Sequence, residues 1–222
     1  MKCHEVTASN GVGCKRTMIK FENVEKMMQQ LDGPQTLEIM REFAVLVLLT
    51  EIDGRLCFVF EKRAAGIRQP GDICFPGGKV EPGESLAECA LRETEEEIGL
   101  CPSKIKLLGE FAVQYELTSI AMHSIVGFVR GDALTGLSLN PTEVAEVFTV
   151  PVDFFAENEP YLYEYDIIQD VKDFPYEEFG INKDYRWRVG HKAIALYRYG
   201  DRVIWGLTAA IARKFAEKVQ VF

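Results

Sequence analysis

Three glutamates, Glu93, Glu96 and Glu97, are the residues whose types and spacing most clearly suggest chemistry. They lie in the stretch "GGKVEPGESLAECALRETEEEIGL" (77–100), where the hydrophobic pattern predicts a helix from about Leu86 to Ile98. At positions i, i+3 and i+4 they share one helix face, and such like-charge pairs cost roughly 0.2–0.5 kcal/mol each. Because Mg²⁺ and Mn²⁺ prefer carboxylate oxygens and often bridge them to substrate phosphates, the spacing predicts a divalent metal site.

The rest of this stretch is suited to positioning the glutamates. Ser85 and Glu88 have the spacing of a capping box at the start of the helix. Arg92 can pair with Glu88 and Glu96, but it cannot neutralise three acids. The glycines before the helix, Gly77 and Gly78, would let the backbone turn and bring a carbonyl close to the same ion. A neighbouring face is suited to packing on a sheet and consists of Ala87, Ala90, Leu91, Thr94 and Ile98.

Composition limits the classes of partner. The chain has 222 residues, 47% of them hydrophobic, which is typical of a soluble globular protein. Its net charge of −9 repels nucleic acid and anionic membranes, so we expect neither as a partner, and a phosphate-bearing substrate would need local cations or bound metal. The longest apolar run, Phe43 to Leu49, is too short to span a bilayer, and no apolar segment follows the N-terminal Met-Lys. The six cysteines form no C-x-x-C pair and no zinc pattern. We therefore expect a cytoplasmic protein.

The pattern of apolar residues predicts one mixed α+β domain. Asp53-Gly54 between two apolar runs predicts a hairpin, and the short strand "DICF" is predicted to end at Pro76-Gly77-Gly78. We assign residues 1–38 to an N-terminal extension with a short helix at 21–31, and residues 39–222 to the main domain. Met1 and Met18 are both candidate translation starts. Further strands are predicted in "KIKLLGEFAVQYEL", "HSIVGFVRG", "EVAEVFTVP", "YLYEYDI", "AIALYRYG" and "RVIWG", with helices at Val152–Ala156 and "LTAAIARKFAEKV".

Fixed spacing identifies a family. Gly78, Glu84 and the run Arg92-Glu93-Thr94-Glu95-Glu96-Glu97-Ile98-Gly99-Leu100 match every fixed position of the Nudix box. The chain therefore resembles the Nudix hydrolases. The resemblance implies the Nudix fold, a mixed β-sheet sandwiched between α-helices (α/β/α). It also implies hydrolysis of a nucleoside diphosphate linked to another group, with Mg²⁺ or Mn²⁺ as cofactor.

The resemblance also implies roles for individual residues. Glu93 and Glu97 correspond to the principal metal ligands, and Glu96 belongs to the same catalytic cluster. Arg92 corresponds to the residue that holds these glutamates in place, and Glu84 to a support of the loop. The general base, which takes a proton from the attacking water, comes either from the box or from a later loop. In that loop, "NPTEVAEVFTVP", a solvated strand edge explains the acids equally well, and the candidates are Glu143 and Glu146.

Cations upstream of the box suggest the substrate. The stretch "KRAAGIRQPGDICFPGGKV" contains Arg63 and Arg68, with Lys62 at its start and Lys79 near its end. The planar fork of arginine suits phosphate, although an ordinary exposed basic loop would also explain these residues. Together with Phe75-Pro76-Gly77-Gly78, these arginines resemble the signature of the coenzyme A diphosphatase branch, as do "YRWRVG" and "IWGLTAAIARKF" nearer the C-terminus. The implied substrate is coenzyme A or an acyl-coenzyme A, and the predicted substrate-binding residues are Arg63, Arg68 and Lys79.

Two other functions remain open at this stage. One is a Nudix hydrolase for another small nucleotide, such as ADP-ribose or a dinucleotide. The other is a non-catalytic nucleotide sensor, which we would expect to lack a box carboxylate, whereas all are present here. Trp187 and Trp205 are candidates for stacking an adenine, although a core position is the commoner role of tryptophan. The sequence leaves a homodimer open.

Overall fold

The computed structural model describes residues 21–30 and 40–221. The chain divides into two units, Met1–Ile39 and Met40–Phe222, and each is considered by itself. In the first unit, helix α1 spans Phe21–Gln30, in agreement with the predicted short helix. None of the helices in the described part of the chain has the length and apolar character needed to span a bilayer. Several predicted features lie outside the described residues: the boundary between 38 and 39, and the candidate starts Met1 and Met18.

A seven-stranded mixed sheet forms the centre of the second unit. Its strands are β1 (Arg41–Ile52), β2 (Arg55–Arg63), β3 (Ile73–Cys74), β4 (Gly77–Lys79), β5 (Ile105–Glu116), β6 (Ile120–Val129) and β7 (Val144–Pro151). The strand order is β3-β2-β1-β6-β5, with β4 also paired to β1 and β7 to β2. Strands β1 and β6 are parallel, whereas β1 pairs antiparallel with both β2 and β4. The long β1 therefore connects most of the sheet.

Helices cover both faces of this sheet. Alternate side chains of β1, at Ala44, Leu46 and Leu48, pack against helix α2 (Leu86–Ile98). The intervening positions, which include Val47, face α3 (Val152–Glu157) and α4 (Gly206–Val219). This arrangement confirms the predicted α+β fold, with a mixed sheet between helices. A second, antiparallel sheet adds β8 (Tyr161–Ile167), β9 (Gly190–Tyr199) and β10 (Arg202–Trp205) in the order β10-β9-β8.

The predicted hairpin is confirmed. Ile52 and Arg55 face each other at the end of the β1–β2 pair. Between them, both Asp53 and Gly54 have positive φ, at 51° and 76°. A two-residue turn of this kind follows the right-handed twist of the strands, and Asp-Gly is among its favoured sequences.

The strand in "DICF" ends before Pro76, as predicted, but the two glycines that follow begin a further strand, β4, which was not predicted. Gly77 pairs with Val45, and Gly78 with Ala44. Glycine has low strand propensity, but here the lack of a side chain permits a close approach between strands. A Cβ built on Gly77 would lie 2.3 Å from the carbonyl oxygen of Ala44. The tertiary pairing therefore overrides the local turn signal.

Candidate active site

Both ends of helix α2 are fixed by local contacts. The Ser85 hydroxyl accepts a hydrogen bond from the Glu88 backbone N–H, and the Ser85 N–H donates to the Glu88 carboxylate at 2.8 Å, which confirms the capping box. At the other end Gly99 adopts a left-handed conformation, with φ of 70°. A Cβ at Gly99 would lie 2.7 Å from the carbonyl oxygen of Ser138, so glycine is required there. These contacts set which side chains of α2 face the sheet.

Arg92 connects helix α2 to the loop before it. Its Nε and Nη2 donate to the two carboxylate oxygens of Glu84 at 2.8 and 3.1 Å, and Nη2 also reaches the Lys79 carbonyl at 3.2 Å. Its Nη1 donates to Glu93 at 2.9 Å and to Glu96 at 3.2 Å. The guanidinium hydrogen bonds lower the pKa of Glu84 to about 2. The sequence paired Arg92 with Glu88 as well, but Glu88 closes the capping box.

Glu97 points inward and not along an exposed face. Glu97 is only 4% exposed, and its Oε2 accepts a hydrogen bond of 2.9 Å from the Gly77 N–H. Strand β4 therefore contacts the carboxylate that the sequence identified as a metal ligand. Burial is the main cause that raises the pKa of Glu97, and the charge of Glu61 on β2 raises it further.

Glu61 is a residue of this site that sequence reasoning missed. It is 1% exposed, its Oε1 accepts a hydrogen bond from the Cys74 thiol at 3.3 Å, and burial raises its pKa. Its Oε2 is buried and has no hydrogen-bond partner among the described residues. A signal was present, because Glu61 directly follows the apolar run "CFVF" of a predicted strand. A single acid at the end of such a run is unusual for a purely structural position.

Glu93 and Glu143 lie near these two buried acids. The Glu93 carboxylate rests against β4, since a Cβ on Gly78 would lie 2.3 Å from Glu93 Oε1. Burial raises the pKa of Glu93, and the Arg92 hydrogen bond opposes this shift. Burial is the main cause of the raised pKa of Glu61, Glu93 and Glu97, and the charge of Glu143 adds a smaller contribution to each, so Glu143 lies near these acids. We call Glu61, Glu93, Glu97 and Glu143 the acidic cluster.

Glu146, the other later candidate for the base, is engaged elsewhere. It forms an ion pair with Arg202, and the guanidinium of Arg202 lies 4.4 Å from the ring centroid of Phe148. Glu96 is also less enclosed than the acidic cluster, because its side chain is 56% exposed. The structure thus brings Glu93, Glu97 and Glu143 together, with Glu96 at the solvent-facing edge.

The donor set of the acidic cluster fits a hard divalent cation. Carboxylate oxygens are the ligands that Mg²⁺ and Mn²⁺ prefer. A cation would offset the burial and the smaller mutual repulsion that together raise the pKa of Glu61, Glu93 and Glu97. The orphaned Oε2 of Glu61 is a further oxygen available to an ion. Within residues 21–30 and 40–221, no three acidic, histidine or cysteine side chains already form a coordination geometry. Cation binding would therefore require these carboxylates to reorient, with Glu93 shared between Arg92 and the ion.

The predicted substrate-binding cations are Arg63 at the end of β2, Arg68 on the loop that follows, and Lys79 at the end of β4. Arg63 Nε donates to the Arg68 carbonyl at 3.0 Å, and backbone hydrogen bonds join Arg63 to both Gly71 and Asp72. Arg63 therefore stabilises the loop after β2. Burial raises the pKa of Glu61, and the charge of Arg63 opposes this rise with a smaller effect. The side chains of Arg68 and Lys79 are exposed.

The expectation that the tryptophans are core residues is wrong for both. Trp205 is 40% exposed, and its indole N–H donates to Asp72 at 3.4 Å, so it lies beside the loop that carries Arg68. Trp187 is 36% exposed and donates to the Tyr176 hydroxyl at 2.8 Å. Of the two tryptophans, Trp205 is the one that contacts the segment between Arg68 and β3, through Asp72.

Comparison with known proteins identifies similar chains. The family model of the NUDIX domain matches residues 40–169. Nudix hydrolase 3 of Caenorhabditis elegans is 38% identical over 113 residues, which cover 50% of this chain and 47% of that protein. The peroxisomal coenzyme A diphosphatase NUDT7 of Mus musculus is 38% identical over 136 residues, 60% of this chain and 56% of that protein. The chain spans about half the length of these two relatives.

One bacterial relative matches over nearly its whole length. It is described as uncharacterized Nudix hydrolase NudL of Yersinia enterocolitica and is 34% identical over 213 residues. These residues cover 93% of this chain and 95% of that protein. The similarity therefore extends well beyond the stretch at 77–100.

Proposed function

Because this chain belongs to the Nudix family, we propose that it hydrolyses the diphosphate bond of coenzyme A or an acyl-coenzyme A with a divalent metal ion. The products are adenosine 3′,5′-bisphosphate and (acyl-)4′-phosphopantetheine. The observation that carries the reaction class is the acidic cluster, four neighbouring carboxylates of which only Glu93 receives an Arg92 hydrogen bond. The choice of substrate is supported by the similarity to the mouse coenzyme A diphosphatase over 60% of this chain.

In the proposed site Glu93 and Glu97 are the principal metal ligands, and Glu96 assists from the edge of the same helix. When bound, Mg²⁺ or Mn²⁺ supplies positive charge to the diphosphate oxygens and acidifies a water molecule. Arg92 keeps the ligands oriented, because its guanidinium joins Glu93 and Glu96 to the loop that carries Glu84. The Gly77 N–H orients Glu97 in the same way.

Glu143 is the proposed general base. The water oxygen forms a new bond to one phosphorus, while the bond from that phosphorus to the bridging oxygen breaks. The bridging oxygen keeps the electron pair and departs with the other phosphate, and Glu143 receives the proton of the water. Glu143 is favoured over Glu146 because its charge acts on Glu61, Glu93 and Glu97, whereas Glu146 is paired with Arg202.

Arg68 and Lys79 are the proposed phosphate contacts of the substrate. Both are exposed, and both lie on segments that adjoin the acidic cluster: the loop after β2 and strand β4. Arg63 assists by holding the Arg68 backbone. A chain with a net charge of −9 gains nothing from its overall field when it binds the additional 3′-phosphate of coenzyme A. Local cations must therefore supply that attraction.

Hydrolysis of a substrate panel tests this proposal. We expect kcat/KM for coenzyme A to exceed that for dephospho-coenzyme A by roughly 5–150-fold, the equivalent of leaving one polar partner unpaired. ADP-ribose should be a still poorer substrate. Steady-state kinetics of the full chain with Mn²⁺ would measure kcat/KM for each of the three substrates. A preference for ADP-ribose would favour another Nudix substrate, and no hydrolysis of any member, with dinucleotides included, would favour a non-catalytic role.

A variant of Arg68 tests how the 3′-phosphate is selected. Arg68→Ala should reduce the preference for coenzyme A over dephospho-coenzyme A, because the lost contact would involve only the larger substrate. Arg130→Ala is the matched control, since Arg130 is an exposed arginine paired with the exposed Asp132. It should leave the ratio of the two kcat/KM values unchanged. Equal losses on both substrates in Arg68→Ala would mean that Arg68 serves the shared diphosphate or the loop.

A further inference from the structure

Glu61 is buried where little in the protein neutralises it. Its residue is 1% exposed, and the Cys74 thiol that donates to its Oε1 is a weak hydrogen-bond donor. Its Oε2 has no hydrogen-bond partner among the described residues. Arg63 is the cation whose charge acts on Glu61, but the Nε of Arg63 donates to the Arg68 carbonyl. Buried carboxylates are ordinarily paired with a cation or bound to metal, whereas Glu61 has one weak hydrogen bond and, within the described part of the chain, one oxygen without a partner.

The pleat of β2 directs Glu61 toward helix α2. Side chains alternate along a strand, and Val59 packs in the core that contains the α2 residues Ala90 and Ile98. Glu61, two residues further along, therefore faces the same side. Consistent with this position, the charge of Glu61 acts on Glu97 at the C-terminal end of α2. The unpartnered Oε2 thus belongs to the acidic cluster and not to the solvent-exposed surface.

A purely structural role does not explain a carboxyl group at this position. An apolar residue would extend the core formed by Phe58, Val59 and Phe60, whereas Glu61 brings a charge next to Glu97. A divalent cation would satisfy the free oxygen and relieve the repulsion within the cluster at once.

We infer that Glu61 is a further ligand of the divalent cation, contributed by strand β2 opposite the glutamates of helix α2. The inference rests on the proposed metal-dependent function and adds to it a ligand from outside the 77–100 stretch. The cation would then hold the sheet and helix α2 together. Cation binding should therefore stabilise the fold as well as support hydrolysis.

Binding of Mn²⁺ alone, measured by isothermal titration calorimetry on the full chain without substrate, tests the inference. Glu61→Gln and Glu61→Leu should each bind Mn²⁺ about tenfold more weakly than the unmodified chain, or weaker still. In EDTA both variants should have a Tm equal to or above that of the unmodified chain, because an unpartnered buried carboxylate is removed. The rise in Tm on adding Mn²⁺ should be smaller in both. The Glu61→Leu variant still tests the inference if the Glu61→Gln variant folds poorly because its buried amide is not accommodated.

Glu95→Gln is the matched control. This substitution removes one glutamate charge from the exposed side of helix α2, outside the acidic cluster. It should leave Mn²⁺ affinity unchanged. The inference is overturned if both Glu61 variants bind Mn²⁺ like the unmodified chain while Glu97→Gln loses binding, a result that leaves the proposed function intact. An unmodified chain that binds no Mn²⁺ would overturn the proposed function and this inference together.

Discussion

Glu97→Gln is expected to lower kcat by roughly a hundredfold or more while the fold survives. Glu97 is almost fully buried, and its Oε2 accepts a hydrogen bond from Gly77, which the amide oxygen of glutamine can keep. The substitution therefore removes one ligand charge with little change in packing. Steady-state hydrolysis at saturating Mn²⁺ would measure the effect. A kcat close to that of the unmodified chain would contradict the assignment of Glu97 as a metal ligand.

The same substitution should stabilise the metal-free protein at high pH. Burial, with the charge of Glu61 added to it, raises the pKa of Glu97 above the ordinary value of 4.5. A carboxyl group with a raised pKa in the folded state costs stability as pH rises from about 4.5 through the raised value. In EDTA at pH 8, Glu97→Gln should therefore have a higher Tm than the unmodified chain, and the difference should disappear below pH 4.5. A lower Tm at pH 8 would contradict the argument from burial.

Arg92→Lys is expected to lower kcat by roughly 10–100-fold and to raise the Mn²⁺ concentration needed for half-maximal rate. Arg92 donates two hydrogen bonds to Glu84 and others to Glu93 and Glu96, and the single ammonium of lysine cannot reproduce this fork. The ligands would then lose their fixed orientation. Kinetics over a range of Mn²⁺ concentrations would measure both effects.

Arg213→Lys provides the control for this prediction. Arg213 Nε donates to Glu217 at 2.8 Å on helix α4, the same type of contact as Arg92 with Glu84 but away from the acidic cluster. It should leave the Mn²⁺ dependence unchanged. An Arg92→Lys enzyme with the Mn²⁺ dependence of the unmodified chain would show that Arg92 does not position the ligands.

Local features of the fold could be predicted from the amino-acid pattern. The start of α2 at Ser85 and Glu88, its end near Ile98 and the hairpin at Asp53-Gly54 were all predicted, because each depends on residues close together in the chain. The spacing from Gly78 to Leu100 identified the family for the same reason, since its fixed positions lie along one loop and one helix. The roles assigned to Glu93, Glu96 and Glu143 follow from that resemblance and stay predictions.

The contacts of the glutamates, in contrast, depend on how distant segments pack together. Strand β4 forms because β1 offers an edge to Gly77, and no local signal contains that pairing. Glu97 is buried because β1 and β4 cover that side of α2, whereas helical periodicity alone placed it with the exposed Glu96. Glu61 belongs to the acidic cluster although it lies 36 positions before Glu97 in the sequence. Strand pairing and the pleat of β2 turn its side chain toward α2. Distant contacts of this kind depend on how sheet and helix pack, and a pattern within one segment does not record them.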